Sequence, residues 1–558
     1  MGLRKVGVRI FARQGDLGTR SDDCWRALET VNAEDPDLFL FGNVPVRIER
    51  KGGEAKTAVL DVPKMRHALV RVVDFVTTTV TAKGKVKAAP PQRELVEDVL
   101  ANPYPPLPSL NRVTEVPVIA PDGSIQTKPG YHPASGTYYA AMKSFTLPDV
   151  PEHPTKADIN GARTVIFEML GEFPFVSFSD LAHAIALLVL PMVRDLIEGP
   201  TPIHVVEKPT PGTGAGLLSH CLTYPALGRA LPVGVEADNT ETRKKITAKL
   251  VTSPMYFTID NVHARITSSA LSAAVTAQVW DDRILGVTRE VHLPVRCIWI
   301  YTGNNPSATI DNARRMIRIR IDAGLERPEL RSGWRIPDLT GWVRENRMRI
   351  AHAVLTIAKA WIDAGRPAGS NPALGSFEEW SRTIGGILEI AGIGGVFLGN
   401  IQEHFTNITD TESAPAFISA WWDKFKSASK TVNELTEVFN GLGAMSAKDI
   451  AREAGFRPDA DASTSSILGY VLRSWRDRVI AGYAIRRVGE DRNHKVLWAL
   501  APTGAGDAGD RSSSQGISEI PRRANSSPAN ASRRYVDVRH PPRKKTTRRP
   551  TPTPGDHP

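Results

Sequence analysis

Apolar runs that stop abruptly at polar or glycine-rich chemistry recur between residues 203 and 321. IHVV (203–206) runs into Glu-Lys and then PTPGTG, MYFTI (255–259) stops at Asp260-Asn261, and CIWIY (297–301) stops at TGNNP. Each run has the length of a buried strand, and stretches of helical period lie between them, TETRKKITAKL (240–250) and SSALSAAVTAQVW (268–280). Buried strands alternating with helices predict an α/β sheet with helices packed on it.

The same patterning divides the rest of the chain. Residues 1–101 mix short strands (VGVRIF, DLFLFG, VPVRIER) with one helix near Val62–Val73 and predict an α+β N-terminal domain. Residues 102–149 carry NPYPPLPSL, PVIAPDGSI and GYHPASGTYYA, too many prolines for regular structure, and predict an extended connector. A helical lead-in at 150–199 contains helices over Lys156–Gly171 and Phe178–Glu198. The strand-rich core spans 200–325, and a helical region follows at 326–440. Trp342, Trp361 and Trp380 of that region fall on helical patterns and are expected in the core. From 441 to 502 the pattern is a short helix (SAKDIAREAG, with Ser446 as cap), a longer one (SSILGYVLRSWRDRVI) and two strands about a turn at Asp491–His494, the outline of a winged helix. Residues 503–558 are rich in Gly, Ser, Pro and Arg and are expected to be disordered.

Composition adds a partner. The chain of 558 residues has a net charge of +10, which favours an acidic partner, nucleic acid first. From Thr503 onward eleven basic residues face five acidic ones, so most of that excess sits in the tail, a nonspecific nucleic-acid arm whose binding would be salt-sensitive. Cys24, Cys221 and Cys297 are scattered and form no CxxC pair, which argues for a reducing compartment and against a disulfide framework or a zinc site. The N-terminus has no apolar signal segment, and Leu181–Val193 is too short to span a bilayer, so a cytoplasmic protein without a membrane partner is expected.

The strand ends carry the chemistry. A strand that enters a glycine-rich turn and then a helix aims backbone N–H groups at one point and grips phosphate. Gly212, Thr213, Gly214, Ala215 and Gly216 occupy that turn, but Pro209, Ala215 and Gly216 stand where a P-loop has Gly, Lys and Ser/Thr. Read alone, the loop is also what an ordinary Gly/Pro turn looks like. Asp260 at the end of its strand is the Mg²⁺ candidate, and Asn261 follows where a second acid is common; an amide can position water but is a poor base. The third strand is expected to end at Thr302, and Asn304 and Asn305 follow at that sheet edge, where an amide can hold water against a γ-phosphate. Arg314 or Arg315 is a candidate arginine finger toward a neighbouring subunit. Arg318 and Arg320 are expected on the solvated face of a strand. On the winged helix, Arg473, Arg476 and Arg478 are expected on the second helix, with Arg486, Arg487, Arg492 and Lys495 on the wing, all candidate DNA-phosphate contacts. A protein-contact module with an ordinary charged face would look similar.

From Trp280 to Asp322 the chain resembles the second half of a superfamily 3 helicase core, most closely the phage, plasmid and integrative-element primase–helicase ATPases. Asn304 or Asn305, Pro306 and Arg315 match the family pattern, and Arg283 would be its basic residue between the acidic strand and the third motif. The resemblance extends over about 150–400. It implies an AAA+-like P-loop NTPase core, ATP with Mg²⁺ as cofactors, a hexameric ring, and movement on single-stranded DNA with origin duplex as a further target. No polymerase-type pair of acidic strands occurs, so primase activity would belong to another chain. The departures at Ala215, Gly216 and Asn261 touch hydrolysis more than fold. Lys208, Lys244 or Lys245 could supply the missing ammonium. The competing expectations are a catalytically degenerate NTPase-fold scaffold that binds DNA or replication partners, and a transcriptional regulator built on the winged helix.

Overall fold

The computed structural model describes residues 4–13, 15–78, 86–142, 145–235, 238–262, 265–283, 290–409, 413–442, 450–451 and 462–502. At its centre is a four-stranded sheet in the order Tyr256–Val262, Ile298–Asn304, Ile203–Lys208, Met316–Arg320, with every neighbouring pair parallel. The three predicted strands and the 316–320 strand thus form one α/β layer. Parallel strands need crossovers, and the helices Ala215–Leu227, Asn239–Leu250 and Ser269–Thr276 lie in the intervening segments. The sheet is sheltered on its faces, as purely parallel sheets are, and Ile203, Ile300, Ile317 and Ile319 have no exposure.

The helix Phe178–Val193 packs against the 316–320 strand and the 215–227 helix. Ser177 caps its start, and all but two of its residues are buried, so it is a core helix. The helix Lys156–Leu170 opens with a reciprocal Thr155/Asp158 capping box and packs along Arg347–Asp363. Trp361 and Trp380 are buried as expected, and Trp342 is half-buried. No helix among the described residues is long and apolar enough to cross a membrane. Cys24, Cys221 and Cys297 are buried free thiols.

Three expectations change. The N-terminal region carries helices Leu17–Glu34 and Arg93–Ala101 besides Val62–Val72; they share an apolar cluster built on Trp25, Leu28, Leu69 and Val96. The Pro-rich 102–149 span is not structureless. It forms strands of two or three residues, among them Arg112–Thr114 and Thr137–Tyr139, paired in parallel. Arg112 in this span is buried and forms a bidentate pair with Asp195 at 2.7 and 3.0 Å. Prolines limit strand length, but buried polar anchors hold the span in place. Third, Arg318 is not solvated. Its side chain is 2% exposed and lies among Glu403 (2.8 Å), Asp180 (3.7 Å) and Glu207 (3.9 Å), while Arg320 pairs with Glu207 at 2.6 Å. Alternation on this strand reflects paired charges under cover.

Toward the C-terminus, a four-stranded antiparallel sheet orders Lys430–Thr431, Val496–Pro502, Tyr483–Glu490 and Val479–Ile480. The helices Ser413–Phe425, Val432–Asn440 and Thr464–Ser474 cover it, with Phe417, Trp421, Leu435 and Trp498 in one cluster. Phe417, Trp421, Leu435 and Phe439 thus join a core that also holds residues of 441–502. The expected helix at 446–455 and its Ser446 cap fall outside the described residues except for Ile450 and Ala451. The tail 503–558 lies outside them entirely.

Candidate nucleotide site

The glycine turn follows the strand Ile203–Lys208 and enters the helix at Ala215. Gly214 (φ 104°) is the cap residue and Gly212 (φ 86°) precedes it, both in left-handed backbone that side chains resist. The helices starting after Thr155, Ser177, Ser268 and Thr309 are capped by side-chain oxygens. This one, like the helices starting at Arg93, Arg347 and Glu378, has no side-chain cap, so its first-turn N–H groups have no side-chain acceptor. Thr213 is buried and donates to the Thr210 carbonyl at 2.7 Å, which closes the turn. Ala215 is 2% exposed, whereas a Cβ on Gly216 would meet nothing within 4 Å.

Asp260 lies two residues before the end of the next strand but one, Tyr256–Val262. Thr302 bridges the two strands there: its hydroxyl donates to Asp260 Oδ1 and accepts from the Asn261 N–H at 2.9 Å. The second Asp260 oxygen has no partner among the described residues, and the residue is exposed. Asn261 adopts φ 54°, so the strand bends away directly after the acid. The Asn304 strand runs between the Asp260 strand and the glycine-loop strand, and Asn304 is paired in register with Lys208. Its Oδ1 is buried without a donor among the described residues. Asn305 (φ 41°) instead turns to Arg320, from which it accepts at 3.0 Å. Of the two amides, Asn304 is therefore the unengaged one. Burial raises the pKa of Glu207, and Arg320 opposes that shift. The sequence marked Thr302 only as the end of its strand; the strand in fact runs on to Asn304, and Thr302, two residues before it, lies on the same strand face.

A pocket of about 280 Å³ opens beside the turn, between Gly212–Gly214 and the 328–340 segment. Phe173 and Trp334 line it, and Arg331 stacks on Trp334 at 4.5 Å. A Cβ on Gly212 would lie 3.0 Å from Glu329 Oε2, so glycine lets this segment approach. An exposed Trp in the polar stretch RSGWR was the available sequence signal.

The remaining candidates lie elsewhere. Arg314 and Arg315 precede the 316–320 strand at the opposite end of the sheet, where Arg315 O accepts from Ile203 N at 2.8 Å. At ~3.3 Å per residue that end is about 16 Å from Lys208, too far to serve the chain's own loop. Arg315 is held at 2.6 Å by Asp311 and its side chain is largely buried; Arg314 also bonds Asp311 (2.8 Å) but stays exposed. Arg283 ends the strand Val279–Arg283, which pairs antiparallel with Glu290–Pro294 in a two-stranded sheet separate from the central one. It is exposed and lies 3.7 Å from Glu290. Lys244 bonds Glu241 (2.6 Å) and Lys245 bonds the Val235 carbonyl (3.2 Å).

In the C-terminal module the second helix stops at Ser474, so Arg476 and Arg478 lie beyond it and only Arg473 is helical. Asp477 pairs with Arg476 (3.4 Å) and Arg486 (2.7 Å), and Glu490 pairs with Arg487 (2.8 Å). Arg473 and Lys495 line a pocket of about 340 Å³ with Thr431 and Trp498, and neither is paired with an acid among the described residues.

No protein-family model matches the chain, and no curated protein does. Among solved structures it is similar to the NrS-1 C-terminal region in its A-form apo state, with a TM-score of 0.34 and 10% identity over 79% of this chain and all of that one. It is also similar to the SCCmec type IV Cch active helicase, with a TM-score of 0.34 and 12% identity over 82% of this chain and 91% of that one. Likenesses this loose settle neither fold nor activity.

Proposed function

We propose that residues 200–325 form a P-loop-type nucleotide site and that the chain is an ATP-dependent DNA helicase or translocase serving replication of a mobile element. The supporting observation is the strand order. It brings the uncapped glycine turn, the unengaged Asn304 amide and the exposed Asp260 carboxylate to the same ends of three adjacent parallel strands. Bound ATP and Mg²⁺ would supply the reactive anhydride and its charge neutralisation. The turn and helix N–H groups would hold phosphate, and Asp260 would hold the ion; a single carboxylate suits Mg²⁺, which keeps much of its water. Asn304 would orient the attacking water, and Phe173 and Trp334 would flank the base. Arg314, the exposed one of the pair, is the better finger toward a neighbouring subunit. The C-terminal module, read as a winged helix, would engage DNA through Arg473 and Lys495.

The second reading is a scaffold of the same fold that binds without turnover. Ala215, Gly216 and Asn261 favour it, because neither ammonium nor general base stands where hydrolysis usually has one. DNA-stimulated phosphate release separates the two. The enzyme reading expects release by the full chain and a loss of roughly 100-fold or more in Asp260→Ala, since metal-held charge stabilisation is a large share of phosphoryl transfer. No release from either protein would leave the scaffold.

A further inference from the structure

A glycine turn without a cation holds a triphosphate weakly, because each phosphate oxygen adds charge that backbone dipoles only partly offset. Lys244 and Lys245 are committed to Glu241 and the Val235 carbonyl. Lys208 is different. It is the last residue of the strand that feeds the turn and is half-buried, and its carbonyl accepts from Asn305 N at 3.2 Å. Its ammonium has neither hydrogen bond nor ion pair among the described residues. Register pairs Lys208 with Asn304, and register partners on parallel strands share a face, about 4.8 Å apart. The preceding Glu207 points to the other face, toward Arg320. An unpaired lysine is therefore the register partner of an asparagine whose buried amide oxygen is unmet, with the Asp260 strand next to that of Asn304.

We propose that Lys208 supplies, from the strand side of the turn, the ammonium that Ala215 withholds on the helix side. The inference rests on the nucleotide reading above and assigns within it the residue that grips the terminal phosphate. Lys208 is the register partner of Asn304 and is not among the residues lining the aromatic pocket, so with the base in that pocket its charge would fall on the outermost phosphate. It is thus a triphosphate-selecting group more than a general affinity group.

Calorimetric titration of the full chain with Mg²⁺ and a non-hydrolysable ATP analogue, ADP or adenosine tests this. Lys208→Met is expected to weaken the triphosphate roughly 10-fold or more, the scale of one charge-assisted hydrogen bond. ADP should change less than about 3-fold and adenosine not at all, and Lys208→Arg should recover most of the loss. Thermal melting checks folding, and Lys208→Gln replaces the Met variant if that one unfolds. Equal triphosphate affinity in wild type and Lys208→Met, or a loss found instead in Lys244→Met or Lys245→Met, overturns the assignment of Lys208 alone. No binding of any of the three ligands by the wild-type chain overturns the nucleotide reading and this inference with it.

Discussion

Arg318 is the residue where pattern and environment disagree most. In MIRIR an alternating basic residue looks solvated, yet this guanidinium is buried with Asp180, Glu207 and Glu403 around it. Sequence period reports which face a side chain takes; it cannot report that both faces of a sheet are covered. Arg318→Met leaves Asp180 and Glu207 facing each other without their common cation, so a destabilisation of about 3–5 kcal/mol is expected in urea unfolding. Three buried histidines lie near the same network. Burial lowers the pKa of His183 to about 4 and those of His204 and His404 to about 3. His183 Nε2 accepts from Leu398 N at 3.3 Å while Nδ1 donates to the Arg318 carbonyl at 2.6 Å, the bonding of a neutral ring. An unfolded histidine titrates near ~6.5. Between that value and the folded ones the unfolded chain binds more protons, so stability is complete above roughly pH 6.5 and falls as pH drops toward the folded values. Glu207, whose pKa is raised, opposes this at the acid end of the window. A urea midpoint that is lower at about pH 5 than at about pH 7.5, with part of the difference removed in His183→Gln, is the expected result.

At the scale of elements, the strands with the strongest apolar runs were readable, and so was the glycine turn between strand and helix. The short strands of 109–139 were not, because pairs of two or three residues leave no period; a buried ion pair, Arg112 with Asp195, and not an apolar stripe, anchors that span. The long helix expected over 465–480 ends at Ser474 because Val479–Ile480 pairs with Tyr483–Ala484 as a strand. That ending changes which arginines are open to DNA. Asp477 is shared by Arg476 and Arg486 and Glu490 pairs with Arg487, whereas Arg473 and Lys495 share a pocket without a carboxylate partner among the described residues. Arg473→Ala combined with Lys495→Ala should therefore lower the slope of log affinity against log salt by about 1.4–1.8. Arg486→Ala should change it little. Fluorescence anisotropy with a single-stranded and a duplex oligonucleotide, over a salt series, reads both.

At the scale of the molecule, the nucleotide candidates and the exposed Arg314 occupy opposite ends of one set of strands. A finger that cannot reach its own loop can act only on another copy. Asp260→Ala and Arg314→Ala should each abolish phosphate release, yet an equimolar mixture should regain a measurable fraction. An Arg314→Ala subunit still offers an intact loop and acid, and an Asp260→Ala neighbour still offers the arginine. No recovery on mixing would show that the two groups never meet across copies. The chemistry at the strand ends was legible in the sequence, whereas the parallel order of the strands and the distance between their two ends required the structure.

The proposed pairing of loop and finger also bears on how copies could be arranged. In a twofold pair the loop end of each copy can meet the Arg314 end of the other, so both contacts close within two copies. Joining the front of one copy to the back of the next instead repeats until rotation closes it or an open fibre forms. For this chain, then, the parity of the assembly is unconstrained by its chemistry. In that second arrangement each site would have an upstream and a downstream neighbour, and a subunit at an open end would keep either a loop without a finger or a finger without a loop.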